Sequence, residues 1–159
     1  MGVFQYTNQS MKKNQNYTQG IYQPQNPQKY KGSIPIIYCS KLELTSMRYL
    51  DKNPNILTWG SESVVIPYQS PKDGKVHKYF VDLVASLKDS TGKIQKLLIE
   101  VKPEKQTRPP TITTKKKQST ILYEKVTWAV NQAKWDAARQ WAKKNGYTFI
   151  ILNEKHLNN

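Results

Sequence analysis

The sequence predicts an α/β domain: a helix, a three-stranded antiparallel meander, a long second helix and a closing strand, behind an extended N-terminal arm. Three observations carry this. Ser40-Lys41-Leu42-Glu43 has the S-x-x-E form of a helix start. Three β-branched runs, 62–69, 76–87 and 94–102, are separated by the turn sequences Pro71-Lys72-Asp73-Gly74 and Asp89-Ser90-Thr91-Gly92. A region of helical period then precedes a short, nearly all-apolar run at 147–152.

Residues 1–33 are rich in Gln, Asn, Tyr and Lys and contain no acid. Tyr6, Tyr17, Tyr22 and Tyr30 follow neither a helical nor an alternating period, and Pro24 and Pro27 disfavour helix. The segment reads as an extended arm, disordered alone or docked on a partner. The domain then occupies 34–159. Residues 34–38 are short and apolar, a strand or an ordered lead-in. The first helix runs to about Asp51, with Glu43, Met47 and Leu50 on one face, and Asn53-Pro54 ends it. Pro67 marks the 62–69 strand as an edge or bulged one. Pro103 closes the third strand, and a basic loop reaches to Lys117. The long helix spans 119–144, with an apolar stripe of Val126, Val130, Ala133, Ala137 and Trp141. Asn145-Gly146 is a C-terminal stop, and 147–152 reads as a strand buried on both faces.

Charge then narrows function. The 159 residues carry 25 Lys plus Arg against 11 Asp plus Glu, a net +14. Such a chain wants an anionic partner: nucleic acid first, an acidic membrane surface or acidic protein second. One cysteine excludes an intramolecular disulfide and multi-cysteine zinc sites, and the two histidines, His77 and His156, form no metal motif. No apolar run approaches the ~20 residues of a membrane span, and the N-terminus lacks a signal-peptide core. A soluble, intracellular protein is expected. An RNA-binding module finds no RRM or KH signature.

The sharpest local feature is Leu97-Leu98-Ile99-Glu100-Val101-Lys102. On a strand, Glu100 and Lys102 share one face, while Ile99 and Val101 face the core. Asp82 interrupts the apolar run of the preceding strand, and hairpin pairing can set it beside Glu100. Two adjacent carboxylates repel unless a proton or cation compensates, and Mg²⁺, which prefers oxygen ligands, suits them. Metal-bound carboxylates with a lysine are equipped for phosphodiester hydrolysis: the metal activates water, and Lys102 orients it or neutralises developing charge. Glu43, on the first helix, can reach the same point as a third acid or simply cap its helix. Glu62 is a supporting acid or a surface residue. Gln132 and Lys134 either face the cleft, Gln132 supporting the site and Lys134 meeting DNA phosphate, or belong to a solvated helix face. Lys105, Arg108, Lys115, Lys116 and Lys117 leave the third strand at the site end, placed for DNA phosphates. Trp128 and Trp135 read as core, Cys39 as a small core residue and His77 as surface.

A helix bearing Glu, then Asp, then E-x-K on the next strand resembles the PD-(D/E)XK nuclease superfamily, whose restriction-endonuclease-like core has this element order. A closer resemblance runs in order from about residue 20 to 157. It is carried by Asn26-Pro27-Gln28-Lys29-Tyr30-Lys31-Gly32, Tyr49-Leu50-Asp51-Lys52-Asn53-Pro54, Trp59-Gly60-Ser61-Glu62, Val65-Ile66-Pro67-Tyr68, Ile99-Glu100-Val101-Lys102-Pro103, Gln106-Thr107-Arg108-Pro109-Pro110 and Asn131-Gln132-Ala133-Lys134-Trp135-Asp136-Ala137-Ala138. These stretches resemble the head-completion nucleases of tailed bacteriophages, a family similar to transposon end-cutting endonucleases. The resemblance implies a Mg²⁺-dependent endonuclease (Mn²⁺ as substitute) acting on double-stranded DNA as packaging finishes, in the host cytoplasm or retained in the virion. It implies active-site acids at Glu43, Asp82 and Glu100, with the lysine at Lys102. Phage head, portal or neck proteins are the partners expected for the arm. Two departures stand out: Val81-Asp82-Leu83 lacks the usual Pro, and Cys39-Ser40-Lys41-Leu42-Glu43 lacks an Arg and a Trp at the helix entry. The competing expectation is a non-catalytic virion protein that binds DNA or the portal region on a vestigial nuclease fold.

Overall fold

The computed structural model describes residues 18–158. Strands β1 (Gly20–Tyr22) and β2 (Ile36–Tyr38) lead to helix α1 (Lys41–Lys52). Strands β3 (Ile56–Ser61), β4 (Val65–Gln69), β5 (Val76–Phe80), β6 (Leu83–Lys88) and β7 (Ile94–Val101) follow. Helix α2 (Gln118–Asn145), strand β8 (Thr148–Leu152) and the short helix α3 (Glu154–Leu157) complete the chain. No helix among the described residues is long and apolar enough to cross a membrane.

The main sheet has the order β3-β6-β7-β8. The β3–β6 and β6–β7 pairs are antiparallel, whereas β7 and β8 run parallel, the geometry that α2 permits as crossover. Helices cover the two faces. Met47 and Leu50 of α1 pack with Trp59, Leu83, Ala85, Ile99 and Val101. On the other face, Ala138 and Ala142 of α2 pack with Leu98, Val81, Ile66 and Tyr79. Strand β7 is therefore buried on both sides, and its alternation sends Ile99 and Val101 to one core and Leu98 to the other.

The expected α/β class and its meander are present, but two strands differ from expectation. The first meander strand is β3, not 62–69. A register shift between Ile56 and Thr58 breaks the alternation, so Ile56 and Trp59, three apart, both point inward. That irregularity hides the strand from a period-two reading. The expected 76–87 strand is two strands: β5 pairs with β4 in a separate hairpin, and β6 pairs with β3 and β7. The chain changes sheets at Val81-Asp82.

The first helix follows its local signals. Ser40 caps it by accepting from the Glu43 N–H at 3.0 Å. The second ends as expected, with Gly146 at φ 74° in the left-handed region. Its buried stripe is Ile121, Trp135, Ala138 and Ala142, rotated from the expected stripe, whose members are only half-buried. The small Ala138 and Ala142 let the helix approach the sheet, and Trp135 meets Trp128 edge-to-face at 6.0 Å. Strand β8 is an edge strand and only half-buried, not buried on both faces.

The expected arm is also corrected over its described part. Residues 18–33 pack on their own domain. Strand β1 pairs with β2, and Tyr22 enters the α1 core. Asp51, fully buried at the end of α1, accepts from Tyr22 Oη (2.9 Å), the Gln25 N–H (2.7 Å) and the Asn26 N–H (3.1 Å). Lys29 Nζ donates to the carbonyls of Leu50, Asp51 and Asn53, the electronegative end of the helix. Docking of the arm on head or portal proteins through residues 1–17 lies outside the described residues.

Removing Asp51 strands three donors at once. Asp51→Ala is expected to cost about 3 kcal/mol in urea unfolding and to speed amide exchange at residues 20–26. Unchanged exchange there would show that the segment is held by other contacts.

Candidate active site

Strand β7 carries Glu100 into the interior, where the residue is 3% exposed. A buried carboxylate needs donors. Tyr79, itself buried on β5, donates its hydroxyl to Glu100 Oε2. Lys102 Nζ lies 3.4 Å from Glu100 Oε1. The Lys102 N–H donates to the Leu152 carbonyl at 3.0 Å, which continues the β7–β8 pairing and anchors the lysine.

Asp82 stands where the chain leaves the hairpin and enters β6. The register pairs Leu83 with Ile99, so Asp82 is the next position outward, opposite Glu100. Its Oδ2 accepts from the Val101 N–H at 2.7 Å, supplying the acceptor that a continued strand would have offered. Burial and the neighbouring Glu100 carboxylate push Asp82 well above the usual carboxylate range. The Val101 hydrogen bond and the Lys102 charge oppose the shift, and Glu43 adds to it. Burial and the nearby Glu100 also raise Tyr79, which keeps its phenol protonated as a donor.

The other expected residues divide. Glu43 accepts from the Cys39 N–H at 2.8 Å, one residue before the Ser40 cap, so it ties down the approach to the helix and does not complete the expected capping box. It is also an electrostatic neighbour of the site: burial raises it, Lys102 lowers it, and Glu62 and Glu100 raise it. Among the described residues no three His, Cys, Asp or Glu side chains gather closely enough to hold one metal ion. Glu43 stands close enough to feel Asp82, Glu100 and Lys102 without forming such a three-residue group. Glu62 is exposed, with φ 50°, a conformation uncommon for a residue with a side chain. Its N–H donates to the Asp82 carbonyl at 3.0 Å, so this strained corner fixes the Asp82 backbone.

Lys134 does face this side of the molecule. Its ammonium lies 5.5 Å from the Tyr79 ring centre and 5.7 Å from that of Tyr68. Gln132 does not: with Gln69, Ser70, Pro71 and Gly74 it lines a groove at the turn end of the hairpin, remote from the Asp82 end. In the basic loop, Arg108 pairs with Glu104, and Lys116 pairs with Glu124 at 2.8 Å. Lys105, Lys115 and Lys117 are exposed and have no carboxylate partner among the described residues. Cys39 is exposed rather than core, because it lies in the turn before the helix cap. His77 is on the surface, paired with Asp73 at 2.8 Å.

Tyr79 is the residue that sequence reasoning missed. Nothing distinguishes it among ten tyrosines, since its partner lies on a strand of another sheet.

The donor set fits a hard divalent cation. Asp82 and Glu100 offer oxygen only, they repel one another, and one of them is already held back from ionising. Mg²⁺ is commonly bound by one or two carboxylates, with water and phosphate completing its octahedron. A two-carboxylate site is therefore sufficient.

Residues 53–154 match the family described as TnsA-like endonuclease, N-terminal, and the chain belongs to that family, with its restriction-endonuclease-like fold. The match spans Asp82, Glu100 and Lys102 but begins after Glu43. The chain is also 43% identical over 143 residues to the head completion nuclease of Enterobacteria phage T4, covering 87% of this chain and 92% of that protein. The resemblance expected from the sequence is borne out.

Two stability measurements test the site. Tyr79→Phe leaves a buried carboxylate oxygen without its donor and is expected to lower unfolding stability by roughly 1–3 kcal/mol. The raised Asp82 carboxyl binds its proton more tightly folded than unfolded, so its ionisation removes stability as pH rises above the ordinary value of 3.8. In EDTA, Asp82→Asn is expected to melt above wild type at neutral pH, the gap closing toward about pH 4. A gap that widens on acidification would reverse the assignment.

Proposed function

We propose that this protein is a metal-dependent DNA endonuclease acting in phage head completion, in the host cytoplasm as packaging finishes. One observation carries the reading: the desolvated Asp82–Glu100 pair with Lys102 beside it, at the end of the central strand. Membership of an endonuclease family and likeness to a head completion nuclease support it.

In this reading Asp82 and Glu100 hold Mg²⁺ or Mn²⁺, and Glu43 acts on the site through its charge. When bound there, such a cation would supply Lewis-acid activation of water and charge stabilisation at the phosphodiester oxygens. Lys102, pinned through its backbone to β8, presents its ammonium to the phosphate as negative charge builds there. Tyr79 holds Glu100 in one orientation, so no rearrangement is needed at the moment of reaction. Lys105, Lys115 and Lys117 take backbone phosphates, which favours contact without base reading.

The second reading, a DNA-binding virion protein that no longer cuts, draws on the engagement of Glu43 by the Cys39 N–H. A cleavage assay separates the two. Asp82→Ala and Glu100→Ala are each expected to abolish divalent-dependent cleavage while DNA binding persists. Undiminished cutting by both would refute the nuclease assignment. Replacing Lys105, Lys115 and Lys117 together with Ala is expected to flatten the slope of log binding constant against log salt by about 2 to 3. An unaltered slope would move the phosphate contacts elsewhere.

A further inference from the structure

The β4–β5 hairpin has two unlike faces. Ile66 and Tyr79 turn toward α2 and are buried. The opposite face is formed by the cross-strand pairs Val65–Phe80, Pro67–Lys78 and Gln69–Val76. Nothing among the described residues covers it: Val65 is 43%, Phe80 50% and Val76 72% exposed. This apolar face carries one cation, Lys78, and no acid. Lys72 and Lys75 stand in the turn, whose only acid, Asp73, is engaged by His77 and the Lys75 N–H. Phe80 ends the strand two residues before Asp82, so this face lies at the end of the hairpin from which the chain enters the candidate site, on the side opposite Tyr79.

We propose that this hairpin face is a platform for an unpaired base of DNA, with Phe80 stacking on the base and Lys78 meeting the adjoining phosphate. It follows that the preferred substrate carries an unpaired nucleotide beside the cut. The proposal rests on the nuclease reading for its position and deepens that reading by naming the substrate. In a continuous duplex the base faces are hidden in the stack, and an apolar surface finds only charged backbone. An unpaired base offers a π-face, and aromatic side chains bind such faces in proteins that hold single strands. A second copy of the chain fits less well, because two molecules of net charge +14 repel.

The test compares a forked DNA, a duplex with one unpaired arm, against a fully paired duplex of the same sequence. Binding is read by fluorescence anisotropy in EDTA, and cleavage is read separately in Mg²⁺. Wild type is expected to favour the fork. In Phe80→Ala the fork-to-duplex affinity ratio is expected to fall roughly tenfold, and Phe80→Trp to restore it. A ratio of one in wild type, or an unchanged ratio in Phe80→Ala, overturns the platform. So does concentration-dependent dimerisation that Phe80→Ala disperses without altering the ratio. If the ratio behaves as expected but wild type cuts neither DNA, the platform stands and the nuclease reading fails.

Discussion

Burying a carboxylate in the central strand of a sheet is the constraint on which this molecule turns. Glu100 lies on β7, where both faces are covered and water cannot solvate the charge. Its environment is organised around that fact. Tyr79 arrives from a separate hairpin to donate to one oxygen, and Lys102 stands beside the other. Asp82 then brings a second carboxylate to the same place, where burial and the Glu100 charge both work against ionising it.

Support for the pair comes from elements that do not touch the chemistry. The sheet change at Val81-Asp82 frees Asp82 from the ladder, leaving its carboxylate to cap the Val101 N–H. The left-handed corner at Glu62 ties down the Asp82 backbone through a hydrogen bond. Behind β3, residues 18–33 are strapped to the end of α1 by Asp51 and Lys29, and Tyr30 packs edge-to-face on Trp59 at 4.7 Å. That second buried acid, Asp51, is satisfied by three donors, in contrast to the Asp82–Glu100 pair. The two environments separate an acid whose charge is met by the fold from a pair whose members oppose each other's ionisation.

Residue by residue, legibility follows the range of the interaction. The start of α1 was readable because its cap involves Ser40 and Glu43, three apart. Glu100 and Lys102 were readable because an acid and a base two apart interrupt an apolar strand, and strand alternation alone puts them on one face. Strand β3 was not readable, since its bulge removes the period-two signal. Tyr79 was not readable as a partner of Glu100, because the two lie on strands of different sheets. Gln132 and Lys134, two apart on one helix, looked equivalent, yet only Lys134 packs against the tyrosines beside the site.

The sequence by itself determined the α/β class, the caps and turns, the excess of positive charge and the acid–lysine pair on the third predicted strand. These depend on backbone sterics, capping and alternation over a few residues, which any local window contains. Tertiary structure alone decided that the strand before Asp82 breaks into two sheets, that residues 18–33 fold back on α1, and that the Cys39 N–H holds Glu43 beside the Asp82–Glu100 pair. Those outcomes depend on which distant surfaces bury one another and which buried polar groups find donors, and neither is a property of any short stretch of chain.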